Sequence, residues 1–256
     1  MKRIHLFEFE DFPWFPSSFR VYLTRLMMVM HKLVNTQSEL SELIKPLLNK
    51  DKKITVLDLC SGSEGPMPGV IESLNKEGYK VNLKLSDLYP DKSAVEKFSN
   101  VDDIDYISTP IDATNVDFQE DDLRTMVCSF HHMNKDVAKD ILKSAFEQRK
   151  SICVFEISDN SYPKALWWIA IPFNIISCLL ITPMVRPLTF GQLFFTYIIP
   201  VIPLFFAWDG AVSNARTYTL SDLDDLLKDF QSDEYVWEKG IVKGKSKKLY
   251  LIGKKK

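Results

Sequence analysis

The stretch Ile54–Gly65, ITVLDLCSGSEG, sets a short apolar run against a cluster of small residues. Ile54, Val56, Leu57 and Leu59 are too few for a helix core but dense enough for a strand buried on both faces. Gly62 and Gly65 then force a tight turn. A strand ending in such a turn makes a ligand cradle, because backbone N–H groups and the start of the next helix can approach a nucleotide or carboxylate without a side chain in the way. The chain after this point is therefore expected to alternate strands with helices.

A helix over Met67–Lys76 closed by Gly78 and a strand over Val81–Ser86 ending at Asp87 follow from the periodicity. Asp87 lies 25 residues beyond Gly62, near the spacing at which a carboxylate closing the second strand accepts hydrogen bonds from a ribose diol; as an alternative it starts the turn DLYPD. Ile104–Ile107 reads as a weak third strand leading to Pro110, Ile111, Asp112 and Ala113. Thr125–Phe130 reads as a fourth running into His131 and His132, followed by a helix over Asp136–Gln148 and a fifth strand over Ile152–Ile157.

Taken in order, VLDLCSGSEG, the acid of LSDLYPD, the Asp112–Ala113 pair, CSFHHM and VFEIS resemble the class I S-adenosylmethionine-dependent methyltransferases over about Ile54 to Asn160. The first motif departs from the family's D-x-G-x-G-x-G: the matching positions are Asp58, Cys60, Gly62 and Glu64, with Gly65 one place late. The resemblance implies an α/β fold with a doubly wound, mostly parallel seven-stranded sheet and S-adenosylmethionine as cofactor. It places the methionine moiety against the backbone around Asp58, Cys60, Ser61, Gly62 and Gly65, the ribose on Asp87 beside Leu88, and the adenine at Asp112 and Ala113, with Phe130 also at the cofactor site and His131 or His132 closing the pocket. A histidine pair is frequent at this place in related methyltransferases and lines the pocket there. His131 or His132 can instead act as a base toward a substrate hydroxyl, with Glu156 as a second candidate. The structural alternatives are a helix cap for the pair and a buried carboxylate for Glu156.

Before this core, FEFEDFPWFPSSFR reads as a rigid aromatic loop around Pro13 and Pro16, ending at a helix cap on Ser17 or Ser18. Tyr22, Leu23, Leu26, Met27, Met30, Leu33 and Val34 recur at helical spacing, and a second helix over Ser38–Leu48 follows Asn35 or Thr36. Core packing is the ordinary use of such a stripe, a substrate wall the other. The charges Lys2, Arg3, Glu8, Glu10 and Asp11 leave no uninterrupted apolar leader at the start of the sequence.

After strand five, 21 uncharged residues from Ala165 to Val185 and 22 from Pro187 to Trp208 flank Arg186. Each run is long enough for a bilayer core, at about 20 residues per span. Pro172, Pro183, Pro187, Pro200 and Pro203 interrupt them, which favours a hairpin embedded in one face of the bilayer over two full spans or a soluble apolar lid. Trp208, Asp209 and Gly210 read as a turn back to water. A helix capped by Thr219 or Ser221 runs to about Phe230, and strands over Tyr235–Val242 and Lys248–Ile252 form a final antiparallel hairpin.

The segments FEDFPWFP, RPLTFGQLFFTYIIPVIPL and WDGAVSNARTYTLSDL resemble a poorly characterised bacterial branch of the same superfamily. In that branch Trp14, Asp209, Arg216 and Tyr218 stand near the substrate; a structural turn with a surface ion pair is the alternative for the last three. The expected organisation is thus residues 1–50 as aromatic loop and helices, 51–160 as cofactor core, 161–208 as apolar insertion and 209–256 as helix and hairpin. The net charge of −2 gives no reason to expect a nucleic-acid partner, although the C-terminal lysines are locally dense. Cys60, Cys128, Cys153 and Cys178 lack metal-ligand spacing and read as free thiols of a reducing compartment. The expected activity is methyl transfer to a hydrophobic or lipid-like acceptor on the cytoplasmic side of a membrane. The alternatives are a soluble small-metabolite methyltransferase and a non-catalytic membrane module that kept the fold.

Overall fold

The computed structural model describes residues 3–63, 65–117, 120–161 and 163–256. Glu64, the departure in the first glycine motif, and Lys2 lie outside them. Two helices come first: α1 (Ser17–Leu33) and α2 (Thr36–Ile44). Then β1 (Lys53–Asp58), α3 (Met67–Lys76), β2 (Lys80–Leu85), α4 (Lys92–Phe98), β3 (Ile104–Tyr106), β4 (Leu123–Val127), α5 (Lys135–Glu147) and β5 (Ser151–Glu156) alternate as the periodicity predicts. The insertion follows as α6 (Ala170–Ile181), α7 (Phe190–Leu193) and α8 (Val201–Arg216), and α9 (Leu220–Leu227), β6 (Tyr235–Lys243) and β7 (Lys247–Lys255) complete the described chain.

The strands form one seven-stranded sheet in the order β3-β2-β1-β4-β5-β7-β6. β1 to β5 are parallel, as buried apolar runs joined by helices require. β7 enters between β5 and β6 and pairs with both antiparallel, so the sheet is mixed at its C-terminal edge. One core lies under α5 and α9, built on Leu57, Met126, Val154 and Leu251. The other lies under α2, α3 and α4, built on Val56, Leu83 and Phe155.

A third core is separate from the sheet: Leu23, Leu26 and Val29 of α1 pack on Cys178, Ile181, Ile202 and Phe206 of α6 and α8. The Met and aromatic stripe of α1 thus buries one edge against the insertion. The outer side of the insertion is bare, with Leu180 71 %, Phe190 81 % and Ile198 70 % exposed. The helical stretch Ala165–Met184 is long and apolar enough to cross a bilayer, whereas Phe190–Ile198 and Val201–Arg216 meet at 82°.

Several boundaries differ from expectation. The first helix is not capped by Ser17 or Ser18: Pro16 precedes it, its fixed φ of −60° presets the entry, and its carbonyl accepts from Phe19 and Arg20. β4 stops at Val127 rather than Phe130, because Cys128 takes a left-handed φ of 55° and the chain folds into the single 3-10 turn Phe130–His132. Trp208, Asp209 and Gly210 form no turn but lie inside α8. A Cβ on Gly210 would stand 2.9 Å from Asn174 Nδ2, so the glycine serves the close approach of α6 to α8. The cysteines are unpaired, two buried and two half-buried, and burial raises the pKa of every thiol.

Candidate active site

The glycine turn is riveted at the carboxyl ends of β1, β2 and β4. Ser61 N–H donates to Ser86 O at 2.9 Å and Leu59 N–H to Thr125 O at 2.8 Å. The buried Asp58 carboxylate accepts from Ser61 Oγ (2.7 Å) and Thr125 Oγ1 (2.5 Å), and burial nonetheless pushes it up to about 6. Gly62 holds φ +56° with open space where a Cβ would stand, so conformation and not crowding selects glycine here. Its N–H donates to Asp87 Oδ2 at 3.0 Å, its carbonyl accepts from Tyr106 Oη at 2.6 Å, and Asp87 Oδ1 accepts from Tyr89 N–H. Each Asp87 oxygen keeps a further lone pair, the arrangement a diol needs. Ile111 N–H on Asp87 O ties in the exposed Asp112, whose Oδ1 accepts twice from Thr114. Leu88 is largely exposed beside them, whereas the side chains of Ala113 and Phe130 belong to the core under α5, Phe130 with its ring 5.2 Å from Tyr218.

At the ends of β4 and β5 a polar cluster faces the cradle. His131 N–H donates to Glu156 Oε1 (3.0 Å) and its Nδ1 pairs with Glu156 Oε2 (2.8 Å), both groups being buried. Burial opposes an imidazolium there, but Glu156 outweighs it and the His131 pKa is raised. His132 Nδ1 pairs with Asp11 Oδ1 at 3.0 Å, and the two imidazole rings lie 4.3 Å apart. Despite burial, hydrogen bonds from His132, the Glu8 N–H and Arg216 hold the Asp11 carboxyl below the usual range. Arg216 Nη1 stands 2.6 Å from Asp11 Oδ2 and 3.2 Å from Glu8 Oε1, and Nη2 donates to His132 O. Tyr218 Oη donates to Met133 O at 2.9 Å under the Arg3 guanidinium, which itself donates to the carbonyls of His131, Met133 and Arg216. Arg216 and Tyr218 therefore build the wall behind the histidines instead of lining the space in front.

Between cradle and cluster lies a cavity of about 410 Å³. Cys60, Gly62 and Gly65 line one end, Glu8, His131 and His132 the other, with Met27 and Phe206 at the side. Asp209 also lines it: Oδ1 accepts from Phe9 N–H at 2.7 Å, Oδ2 is buried without a hydrogen-bond partner, and burial pushes the carboxyl up to about 7. Trp14 does not reach the cavity; it is 65 % exposed and stacks on Phe12.

The fold recurs in solved structures. No protein-family model matches this sequence, and no curated protein sequence does either. Structures with this fold do match: the plantazolicin methyltransferase BpumL, bound to a triazolic desmethylPZN analogue and S-adenosylhomocysteine, has a TM-score of 0.53 at 9% identity over 93% of this chain and 99% of its own. A candidate O-methyltransferase from Nostoc punctiforme gives 0.51 at 13% identity over 91% of this chain, and human N-acetylserotonin methyltransferase with S-adenosylmethionine gives 0.51 at 12% over 93%. The chain has the class I methyltransferase fold. It spans 60% of the Nostoc protein's length and 57% of the human one's.

On this methyltransferase scaffold the sequence pattern located the cradle, Asp87, the histidine pair and Glu156, but not the first described segment. Glu8 and Glu10 line the cavity with Asp11 just behind, and burial with Asp209 and Glu8 nearby pushes the Glu10 carboxyl up to about 8. The available signal was F-E-F-E-D itself: acids alternating with phenylalanines are set inward once the rings pack, as Phe9 does on Phe205 at 4.7 Å.

Proposed function

We propose that this chain is an S-adenosylmethionine-dependent methyltransferase acting on a hydrophobic acceptor at a membrane surface. The observation that carries this reading is one cavity lined at once by the glycine turn, Cys60, Ser61, Gly62 and Gly65, and by the buried His131–Glu156 pair, with Asp87 hydrogen-bonded to Gly62 N–H at the turn. The cofactor supplies an electrophilic methyl group. Backbone around Gly62 holds its amino-acid end, and Asp87 and Asp112 offer carboxylate oxygens to the ribose and the adenine amino group. Glu8, His131 and His132, with Glu156 fixing the ring of His131, receive the acceptor's heteroatom, and His131 or His132 takes its proton as the methyl group is transferred.

The insertion supports a membrane setting because its two sides differ. Inward it gives the cavity Asn174, Asp209, Ser213 and Asn214; outward it exposes Phe173, Leu180, Phe190 and Ile198. A lid for a soluble enzyme has no use for the outer row, whereas a hairpin embedded in one leaflet buries it and opens the roof toward a lipid-soluble acceptor. The cytoplasmic leaflet is the proposed place, where S-adenosylmethionine is available.

Calorimetric titration with S-adenosylhomocysteine tests the enzyme reading: saturable binding that is lost in Asp87→Ala is the expected result. No binding at millimolar ligand makes the chain a module that kept the fold without the activity. Flotation with anionic lipid vesicles tests the setting, and full recovery in the soluble fraction removes the membrane from the proposal.

A further inference from the structure

Glu8, His131 and His132 present donor atoms that all lie within 4.8 Å of one another. What sets this cluster apart is where the other ring nitrogens go. Nδ1 of His131 is held by Glu156 and Nδ1 of His132 by Asp11, so each ring turns its Nε2 toward Glu8, at 3.7 Å from Oε1 and 3.8 Å from Oε2. Those gaps are too long for hydrogen bonds. His131 Nε2 is buried with no hydrogen-bond partner on a residue 5 % exposed, and Glu8 Oε1, on a residue 2 % exposed, makes no hydrogen bond and has only the Arg216 guanidinium beside it, Nη1 at 3.2 Å. Buried polar atoms are rarely left without a partner.

We infer that Glu8, His131 and His132 form a site for a divalent transition-metal cation of the Zn²⁺ type. Imidazoles whose Nδ1 is fixed by a carboxylate are the usual arrangement of metal-binding histidines. Donors at about 2.0–2.2 Å from one cation stand roughly 3.3 Å apart, so each ring nitrogen needs to approach its Glu8 oxygen by about half an ångström, and no pair of the set, all within 4.8 Å, needs to close by more than about 1.5 Å. Two nitrogens and one carboxylate suit Zn²⁺ or its neighbours in the first row, not Mg²⁺ or Ca²⁺. The charge balance agrees: Glu8, Asp11 and Glu156 converge on the two rings. Arg216 is the guanidinium touching Glu8 and Asp11, while Arg3 gives its described bonds to backbone carbonyls, the His5 ring and the Tyr218 hydroxyl. Three protein ligands leave the cavity side of the cation open. An acceptor hydroxyl bound there would give its proton to solvent water near neutral pH, the task a free histidine base would otherwise carry. Only this role rests on the methyltransferase reading; the binding claim stands without it.

The test uses the full chain after chelator treatment. Calorimetry with Zn²⁺ is expected to give one site with Kd below about 1 μM, and millimolar Mg²⁺ no saturable binding. His132→Ala and Glu8→Gln are each expected to weaken Zn²⁺ by about 100-fold or more with circular dichroism and S-adenosylhomocysteine binding unchanged. Should Glu8→Gln not fold, the half-exposed His132 carries the comparison. Co²⁺ in place of Zn²⁺ is expected to show visible d–d bands without an intense thiolate charge-transfer band. Absence of saturable Zn²⁺ binding, an unchanged affinity in His132→Ala, or a thiolate band placing the ion on Cys60 or Cys128 overturns the inference. S-adenosylhomocysteine binding in a protein that ignores Zn²⁺ overturns the metal site alone and leaves the methyltransferase reading intact.

Discussion

Gly62 is constrained by its backbone and not by its surroundings, since φ is +56° and a Cβ would meet nothing within 4 Å. Gly62→Ala is therefore expected to cost about 1–2 kcal/mol from the left-handed conformation alone, read as a lower urea midpoint, with S-adenosylhomocysteine affinity falling in parallel. An unchanged midpoint sinks this account of the turn. Asp58 makes the opposite kind of demand. Its carboxyl is raised from 3.8 to about 6, mainly by burial, so the stability it contributes is complete below about pH 4 and lost as pH rises through about 6. Asp58→Asn is expected to flatten urea stability across that window by on the order of 2–3 kcal/mol, and a slope equal to that of the parent chain refutes it. Both residues were legible as cradle positions, because a strand end followed by glycines is a local pattern. The burial that raises Asp58 was not, nor was the hydroxyl of Thr125 that opposes it from 67 positions away, because both depend on elements distant in sequence.

Among the elements, the insertion has the most to lose from a single charge. Leu180→Asp combined with Phe190→Asp removes two exposed apolar side chains, each worth about 1.5–3 kcal/mol when buried in lipid. Vesicle binding is expected to weaken at least tenfold while circular dichroism and cofactor affinity stay as they were, and undiminished flotation rejects the embedded hairpin. β1, α3, β2, α5 and β5 were readable to within a residue or two because parallel strands buried on both faces appear as apolar runs and Gly78 closes α3. α8 was misread at Trp208–Gly210 because aspartate and glycine usually break a helix. Their reasons for being inside one lie on other elements, Phe9 N–H for Asp209 and Asn174 for Gly210.

At the scale of the molecule, the first described segment is bound to the rest by charge. Arg216 is buried between Asp11 and Glu8, and the three come from opposite ends of the sequence, 205 positions apart for the closer pair. Arg216→Met is expected to leave both acids without their guanidinium and to cost about 3–5 kcal/mol, or roughly 10 °C in Tm. Thermal unfolding unchanged within error would show the network to be dispensable. No local pattern announces the contact with Arg216; the alternation of F-E-F-E-D hints only that these acids turn inward, not what they meet there.

The sheet's reversed strand bears on how such a chain is made. β5 and β7 are immediate neighbours, Ile152 opposite Gly253, yet the whole apolar hairpin and β6 are synthesised between them. β1 to β5 can pair while the chain is still leaving the ribosome, but the far edge must wait for a loop closure of about a hundred residues. During that interval the hairpin emerges beside an unfinished sheet edge, and the apolar surface already made that can cover its inner side, Cys178, Ile202 and Phe206, is that of α1.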